Sequence, residues 1–314
     1  MKIKTFGYKE TPGGYLEVLE NEWKKLGHQI VDDGEYDIIF NIDRSQIEHA
    51  EEERKRTQKP LYCLILDMGY SHQNGYFSIY DSNLVNNERP IYKKCYKLMT
   101  ISNETSRVLK EFTGLDSENV GIPALSYEYP LKDNYKKRKR GNYIYYFGRP
   151  LDPIKNIVTV LQAISGTDIE IYFSGEQCPP QIFSSIAPNI KVKNFGWLDR
   201  AEVNELIKKA RLLIAPELYT GLGMQPIEGA LMGTPCLSAD IEIKKEIWGN
   251  ILPMYEAGDP LDCRIKIQNF DLSQVDMKEA RKIASWYLPK NVAKRILLEK
   301  LPNKNEDRID SLSV

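Results

Sequence analysis

Two cations six residues apart, a Gly-x-Gly loop and a carboxylate five residues beyond it are the groups in this chain best suited to chemistry. Arg149 follows Gly148, and Lys155 comes six residues later. A guanidinium presents a planar fork and an ammonium a point charge, so the pair suits a diphosphate. In the segment PELYTGLGMQPIEGALMGTP, residues 216–235, Gly221 and Gly223 permit a tight loop whose N–H groups can face phosphate oxygens. Glu228 falls in the first turns of the helix expected after that loop. A carboxylate there can accept from two vicinal hydroxyls, as on a ribose, or simply complement the helix dipole. A second glycine pair lies in Thr11-Pro12-Gly13-Gly14, between an expected strand and helix. The backbone can approach an anion there, but the motif is shorter than G-x-G-x-x-G and no acidic residue clearly follows the second strand. A plain strand–helix turn would use the same residues.

The elements that must position these groups alternate between strand and helix. Met1–Tyr8 reads as a strand, and Tyr15–Leu26 as a helix with Leu16, Leu19, Trp23 and Leu26 on one face, ended by Gly27. Strands are expected at Tyr36–Asn41, Leu61–Leu66 and Lys97–Ser102, and Ser102 is placed to cap the helix that follows. The run KDNYKKRKRG, residues 132–141, is basic and lacks apolar periodicity, as a linker would. Alternation resumes with strand Tyr143–Phe147, helix Ile157–Ile164, strands Ile169–Phe173 and Ile190–Asn194, and a helix from Ala201 to Ala210 capped by Asp199. Strand Leu212–Ala215, helix Pro226–Met232, strand Pro235–Leu237 and helices near Met277–Tyr287 and Val292–Leu301 complete the series. Such alternation predicts parallel sheets flanked by helices. The expected division is an N-terminal Rossmann-like domain over 1–130, a linker over 131–141, a second Rossmann-like domain over 142–290, and a tail over 291–314 that returns to the first.

Composition narrows the function classes. At 314 residues, with 42% hydrophobic and 28% charged residues, the chain is long enough for two globular domains. A net charge of -1 provides no global field for nucleic acid or membrane. Residues 1–130 hold 16 lysines and arginines against 21 acidic residues, whereas residues 131–314 hold 27 against 23, so an anionic ligand fits better in the second half. Five cysteines, an odd number without a C-x-x-C pair, point away from a zinc site or a disulfide framework and toward a reducing cytoplasm. The first residues, MKIKTFGYKE, lack the apolar core of a signal peptide. No apolar run approaches the roughly 20 residues that cross a bilayer.

Five stretches taken in order resemble the retaining glycosyltransferases of family 4, also called glycosyl transferases group 1, which have the GT-B fold. PGGYLEVLENEWKKLGHQI resembles the first Gly-Gly loop, helix and strand of that family. LMTISNETSRVLKEFTGLDSENVGIP resembles the segment that closes its N-terminal domain, and YIYYFGRPLDPIKNIVTVLQAI the start of its donor domain. NFGWLDRAEVNELIKKARLLIAPELYTGLGMQPIEGALMGTPCLSAD resembles the donor-domain core, and RKIASWYLPKNVAKRILLE the last helices. The resemblance implies two Rossmann-like domains with parallel sheets facing a central cleft. It implies that Arg149 and Lys155 hold the donor diphosphate and that Glu228 holds the ribose. Gly13 and Gly14 would meet the diphosphate from the other domain, with Gly148 beside the two cations. The backbone of Gly221, Leu222, Gly223, Met224 and Gln225 would contact phosphate and sugar. Where the family carries a sugar-contacting Glu ahead of the Gly-x-Gly loop, this chain has Thr220, which supplies no carboxylate. Glu217 would compensate only in a rearranged loop. Near the reacting sugar, Asp67 is the better positional match and His72 the runner-up.

The implied reaction is retaining transfer from a UDP-sugar, or a GDP-sugar, to a hydroxyl of a glycan or glycoconjugate. Arg149 and Lys155 would stabilise charge on the leaving phosphate. No Asp-x-Asp motif is present, so no metal and no other cofactor are expected. The linker cations keep open a DNA acceptor, as in phage base glucosyltransferases, although the acidic N-terminal half weighs against it. A non-catalytic nucleotide-sugar binder would tolerate Thr220 but has no need of Arg149, Lys155 and Glu228 together, and a sugar-nucleotide epimerase is a further alternative. Oligomeric state is not encoded in any of these features.

Overall fold

The computed structural model describes residues 1–7, 14–42, 44–66, 82–127 and 138–298. The first sheet takes β1 (Lys2–Phe6), β2 (Gln29–Ile30), β3 (Ile38–Asn41), β4 (Leu61–Ile65), β5 (Lys97–Thr100) and β6 (Glu118–Asn119). The second takes β7 (Tyr143–Gly148), β8 (Glu170–Gly175), β9 (Lys191–Asn194), β10 (Leu212–Ala215), β11 (Cys236–Asp240) and β12 (Met254–Glu256). Every strand pair in both sheets is parallel. The central strands β3, β4 and β10 are buried on both faces, which is why they read as unbroken apolar runs rather than alternating ones. This is the GT-B arrangement of two Rossmann-like units expected from the sequence.

Helices cover the sheets: α1 (Tyr15–Lys25), α2 (Ile47–Thr57), α3 (Ser82–Tyr92) and α4 (Asn103–Thr113) with the first, then α5 (Ile157–Ile164), α6 (Pro180–Ile186), α7 (Arg200–Lys209), α8 (Met224–Met232), α9 (Glu242–Trp248), α10 (Pro260–Gln268), α11 (Met277–Ser285) and α12 (Pro289–Leu297). Several start where side-chain chemistry dictates. Ser102 Oγ accepts from the Thr105 amide at the head of α4, and Asp199 and Glu202 form a reciprocal capping box at α7. Asp259 caps α10 immediately before Pro260, a proline at the one helical position where a missing N–H costs nothing.

The last helix lies against the first domain's α1. The Trp23 indole donates to the Ala293 carbonyl at 3.0 Å, and the buried Lys97 ammonium donates to the carbonyls of Arg295, Ile296 and Leu298 at the end of α12. Lys97 thereby places a cation where the helix dipole is negative. The basic run before β7 is also used structurally in its described part. Arg138 donates to the Met232 carbonyl at 2.7 Å, and Arg140 to the carbonyls of Gly233 at 2.7 Å and Ala210 at 3.2 Å. Two of the cations that suggested a nucleic-acid face therefore close the C-terminal ends of α7 and α8.

Strand order locates the crevices. The second sheet runs β12-β11-β10-β7-β8-β9, so chain direction across the sheet reverses between β7 and β10. In open parallel sheets ligands bind beyond the carboxyl ends of the strands at this switch point. The loops that leave β7 and β10 are the ones that carry Gly148–Lys155 and Pro216–Gly223.

Candidate functional site

The two loops are stitched together by one backbone bond and by side-chain amides that donate to backbone carbonyls. The Leu218 amide donates to the Ile154 carbonyl at 2.9 Å, and Asn156 Nδ2 to the Pro216 carbonyl at 3.3 Å. Gln225, at the start of α8, donates through Nε2 to the Phe147 carbonyl at 3.1 Å. Gly148 takes φ +142 at the end of β7, and Asn156 takes φ +48 to turn the chain into α5. Arg149 is left 65% exposed, in a surface ion pair with Asp152 at 3.3 Å, while Lys155 is half-buried in the short 3-10 turn beside it. Both cations thus occupy the rim of the switch-point crevice.

Gly221, Leu222 and Gly223 lead directly into α8, with Gly223 as the residue before the first helical turn at φ +79. The N-terminus of α8 therefore opens into the same crevice and brings the positive end of its dipole to the two cations. Beneath the loop lies a pair that sequence reasoning missed in part. Lys244 of α9 is fully buried, and its Nζ stands 3.8 Å from Glu217 Oε2. Neither atom has a hydrogen-bond partner among the described residues. Burial pushes the Lys244 ammonium below the ordinary lysine range, with the Glu217 carboxylate opposing that effect. Glu217 faces this lysine from within the fold, so it does not stand in for the carboxylate absent at Thr220.

Gly223 is required twice over at this point. A Cβ built there would lie 1.7 Å from Lys244 Nζ, and the backbone already holds a positive φ. Gly27 has a similar φ of +86 with nothing within 4 Å of its Cβ direction. Gly27→Ala should therefore lose only the backbone preference, about 1 kcal/mol, whereas Gly223→Ala should lose several-fold more. Thermal melts of the two variants check this, and equal losses would show that the ammonium is easily displaced.

Glu228 sits on α8 with its carboxylate only 1% exposed. Its Oε1 accepts from the Leu125 amide at 3.0 Å, and Arg200 Nη1 lies 3.5 Å from Oε2. Arg200 also donates to Ser126 Oγ at 3.1 Å. Burial raises the Glu228 carboxyl above its ordinary range, with Arg200 opposing. The Tyr15 phenol, at the head of α1, is raised by burial and by the charge of Glu228. Glu228 is thus at the floor of the cleft, covered by residues 125–126 of the first domain.

Other contacts cross between the two halves. Glu246 of α9 accepts from the amides of Asn103 and Glu104 at 3.0 and 2.9 Å, filling the N-terminus of α4. Thr105 Oγ1 donates to the Gly221 carbonyl at 3.4 Å. Gly14 precedes the first turn of α1 in an extended conformation without a side-chain cap. Gly13, Asp67 and His72 lie outside the described residues. Leu222 is buried, and Met224 and Thr220 are partly exposed beside the loop. All five cysteines are free, and no group of three or more metal-ligating side chains occurs among the described residues. No helix among them is long and apolar enough to cross a membrane.

The fold is the GT-B architecture, two Rossmann-like domains with parallel sheets. Residues 141–261 match the family described as glycosyl transferases group 1. Solved structures resemble the whole chain. HepE from Anabaena, solved with UDP and glucose, is 14% identical, has a TM-score of 0.73, and aligns over 94% of this chain and 98% of its own. Sucrose-phosphate synthase from Thermosynechococcus elongatus is 13% identical with a TM-score of 0.69, over 94% of each chain. A glycosyltransferase from Rickettsia africae is 14% identical with a TM-score of 0.68, over 95% of this chain and 99% of its own. At these identities the likeness is one of fold. No curated protein sequence matches the chain significantly.

Proposed function

We propose that the chain transfers a sugar from a nucleoside-diphosphate sugar to a hydroxyl of a glycan or glycoconjugate, with retention at the anomeric carbon. The observation that carries this reading is the meeting of Arg149, Lys155 and the N-terminus of α8 at the switch point of the second sheet. A diphosphate is the ligand whose charge and shape match three such donors. UDP is the favoured nucleotide, since HepE was solved with UDP-glucose as well as with UDP and glucose. In the step itself the bond from the anomeric carbon to the phosphate oxygen breaks. The acceptor oxygen bonds to that carbon from the same face, and its proton passes to a phosphate oxygen of the leaving diphosphate. Arg149 and Lys155 stabilise the charge that grows there. Asp67 is assigned to the sugar side of the cleft by its place after β4, and Thr220 to the position beside the donor sugar. A cytoplasmic setting fits the free cysteines.

The test is a panel of UDP- and GDP-sugars with saccharide acceptors, read by released nucleotide and by NMR of the product's anomeric configuration. Release of UDP with an α-linked product from an α-linked donor is expected; inversion would refute the assigned mechanism. With protein cations in place for the diphosphate, turnover should continue in EDTA at close to the untreated rate. Loss of turnover restored by Mg²⁺ or Mn²⁺ would overturn that assignment.

A further inference from the structure

The Lys244–Glu217 pair is expensive where it stands. Lys244 Nζ is wholly buried, lacks a hydrogen bond among the described residues, and has the Glu217 carboxylate at 3.8 Å. It also lies against Gly223, the residue that opens α8, so it occupies the positive end of a helix dipole. Lys155 is near enough for its charge to weigh further against the ammonium. A buried ion pair of this kind is commonly no more stable than well-packed apolar side chains of the same volume. Packing therefore gives no reason for an ammonium here, and the dipole and Lys155 give reasons against one. The arrangement becomes favourable once an anion occupies the crevice, because Lys244, Lys155, Arg149 and the helix N-terminus then all attract the same group.

We propose that Lys244 is a third cation for the donor diphosphate, acting from beneath the glycine loop at Gly223, with Glu217 offsetting its charge from the opposite side. The inference rests on the donor-site reading above and adds a positioning residue to it. Lys244 acts through space on the phosphates and on the loop amides that meet them. Gly223 is the point where the absence of a side chain lets the ammonium come up to the loop. The Glu217 carboxylate limits the attraction, so its removal and the removal of Lys244 act in opposite directions.

Calorimetric titration of the full chain with UDP and with uridine tests this. In Lys244→Met, and in Glu217→Gln/Lys244→Met where no unpaired buried charge remains, UDP affinity should fall about tenfold while uridine affinity stays at the wild-type value. Glu217→Gln alone, titrated across falling pH so that Lys244 regains its proton, should then bind UDP at least as tightly as wild type. A double variant that melts like wild type and binds UDP equally well would make the pair purely structural and end the proposal. Should neither methionine variant fold, Glu217→Gln decides: weaker UDP binding with unchanged uridine binding would overturn it. A wild-type chain that binds uridine, UDP and GDP undetectably would instead refute the donor-site reading, a different result from selective failure at Lys244.

Discussion

Replacing Arg149 and Lys155 with alanine should each weaken UDP binding by about 1.5–3 kcal/mol, the usual worth of a hydrogen bond to a charged group, and should lower turnover further. The second effect follows from the chemistry: charge on the leaving diphosphate grows toward the transition state, so cations at the rim of the β7/β10 crevice are worth more there than in the ground state. The losses should be functional and not structural. Arg149 is 65% exposed and its ion pair with Asp152 spans 3.3 Å at the surface, a contact of a kind that contributes less than about 1 kcal/mol to folding. Calorimetry with UDP, melting curves, and steady-state kinetics on the best donor give the three readings. Wild-type UDP affinity in both variants would move the diphosphate elsewhere. An equal fall in uridine affinity would show that the loops had collapsed instead.

The parts of this site that were legible in the sequence are those whose cause is local. The strands β3, β4 and β10 are short apolar runs because both faces of a parallel sheet are covered. Ser102 and Asp199 announce α4 and α7 because capping is settled within three residues. The loop from Gly221 to Gly223 is visible because only glycine is at ease with the φ of +79 that turns the chain into α8. α9 was not legible. Its sequence EIKKEIW carries adjacent charges that read as a solvated surface, yet Lys244 is wholly buried and Glu246 reaches the N-terminus of α4 some 140 residues earlier in the chain. α2, with IEHAEEERKRT, hides in the same way, since Ile47, Ala50 and Glu51 are its only buried residues. The linker arginines fall into this class too. Their role as closing groups for α7 and α8 depends on carbonyls that only the fold brings near. Partners so distant in sequence leave no periodic trace, and charge alone does not reveal whether a residue faces water or a helix end.

Glu228→Gln should make the protein more stable above the folded pKa of that carboxyl and worse at holding nucleoside. Burial raises the folded carboxyl above its ordinary range, so between the unfolded and folded values the native state binds more protons than the unfolded one. Stability associated with this group is full below the unfolded pKa and is lost as pH rises through the folded one. Above the folded pKa the carboxylate is ionised while buried, with Arg200 3.5 Å from Oε2 and the Leu125 amide donating to Oε1. Glutamine keeps the shape and can still accept from Leu125, but it has no charge to desolvate. Its melting temperature should therefore exceed wild type once the pH lies above the folded pKa of the carboxyl, with the difference closing toward pH 4, where both side chains are neutral. Ribose binding moves the other way. Two hydroxyls donating to a carboxylate form charge-assisted bonds, whereas an amide offers one acceptor and a donor that competes. Uridine and UDP affinities should fall together, by about 1–2 kcal/mol, which distinguishes this variant from those at Arg149, Lys155 and Lys244, where uridine is spared. Since residues 125–126 cover the carboxylate, the glutamine variant should also show whether their withdrawal accompanies nucleoside binding. Hydrogen exchange at the Leu125 amide should quicken when uridine is added to wild type and stay unchanged in the variant. A lower melting temperature for Glu228→Gln, with uridine affinity intact, would mean that the carboxylate serves the domain interface and that the ribose lies elsewhere.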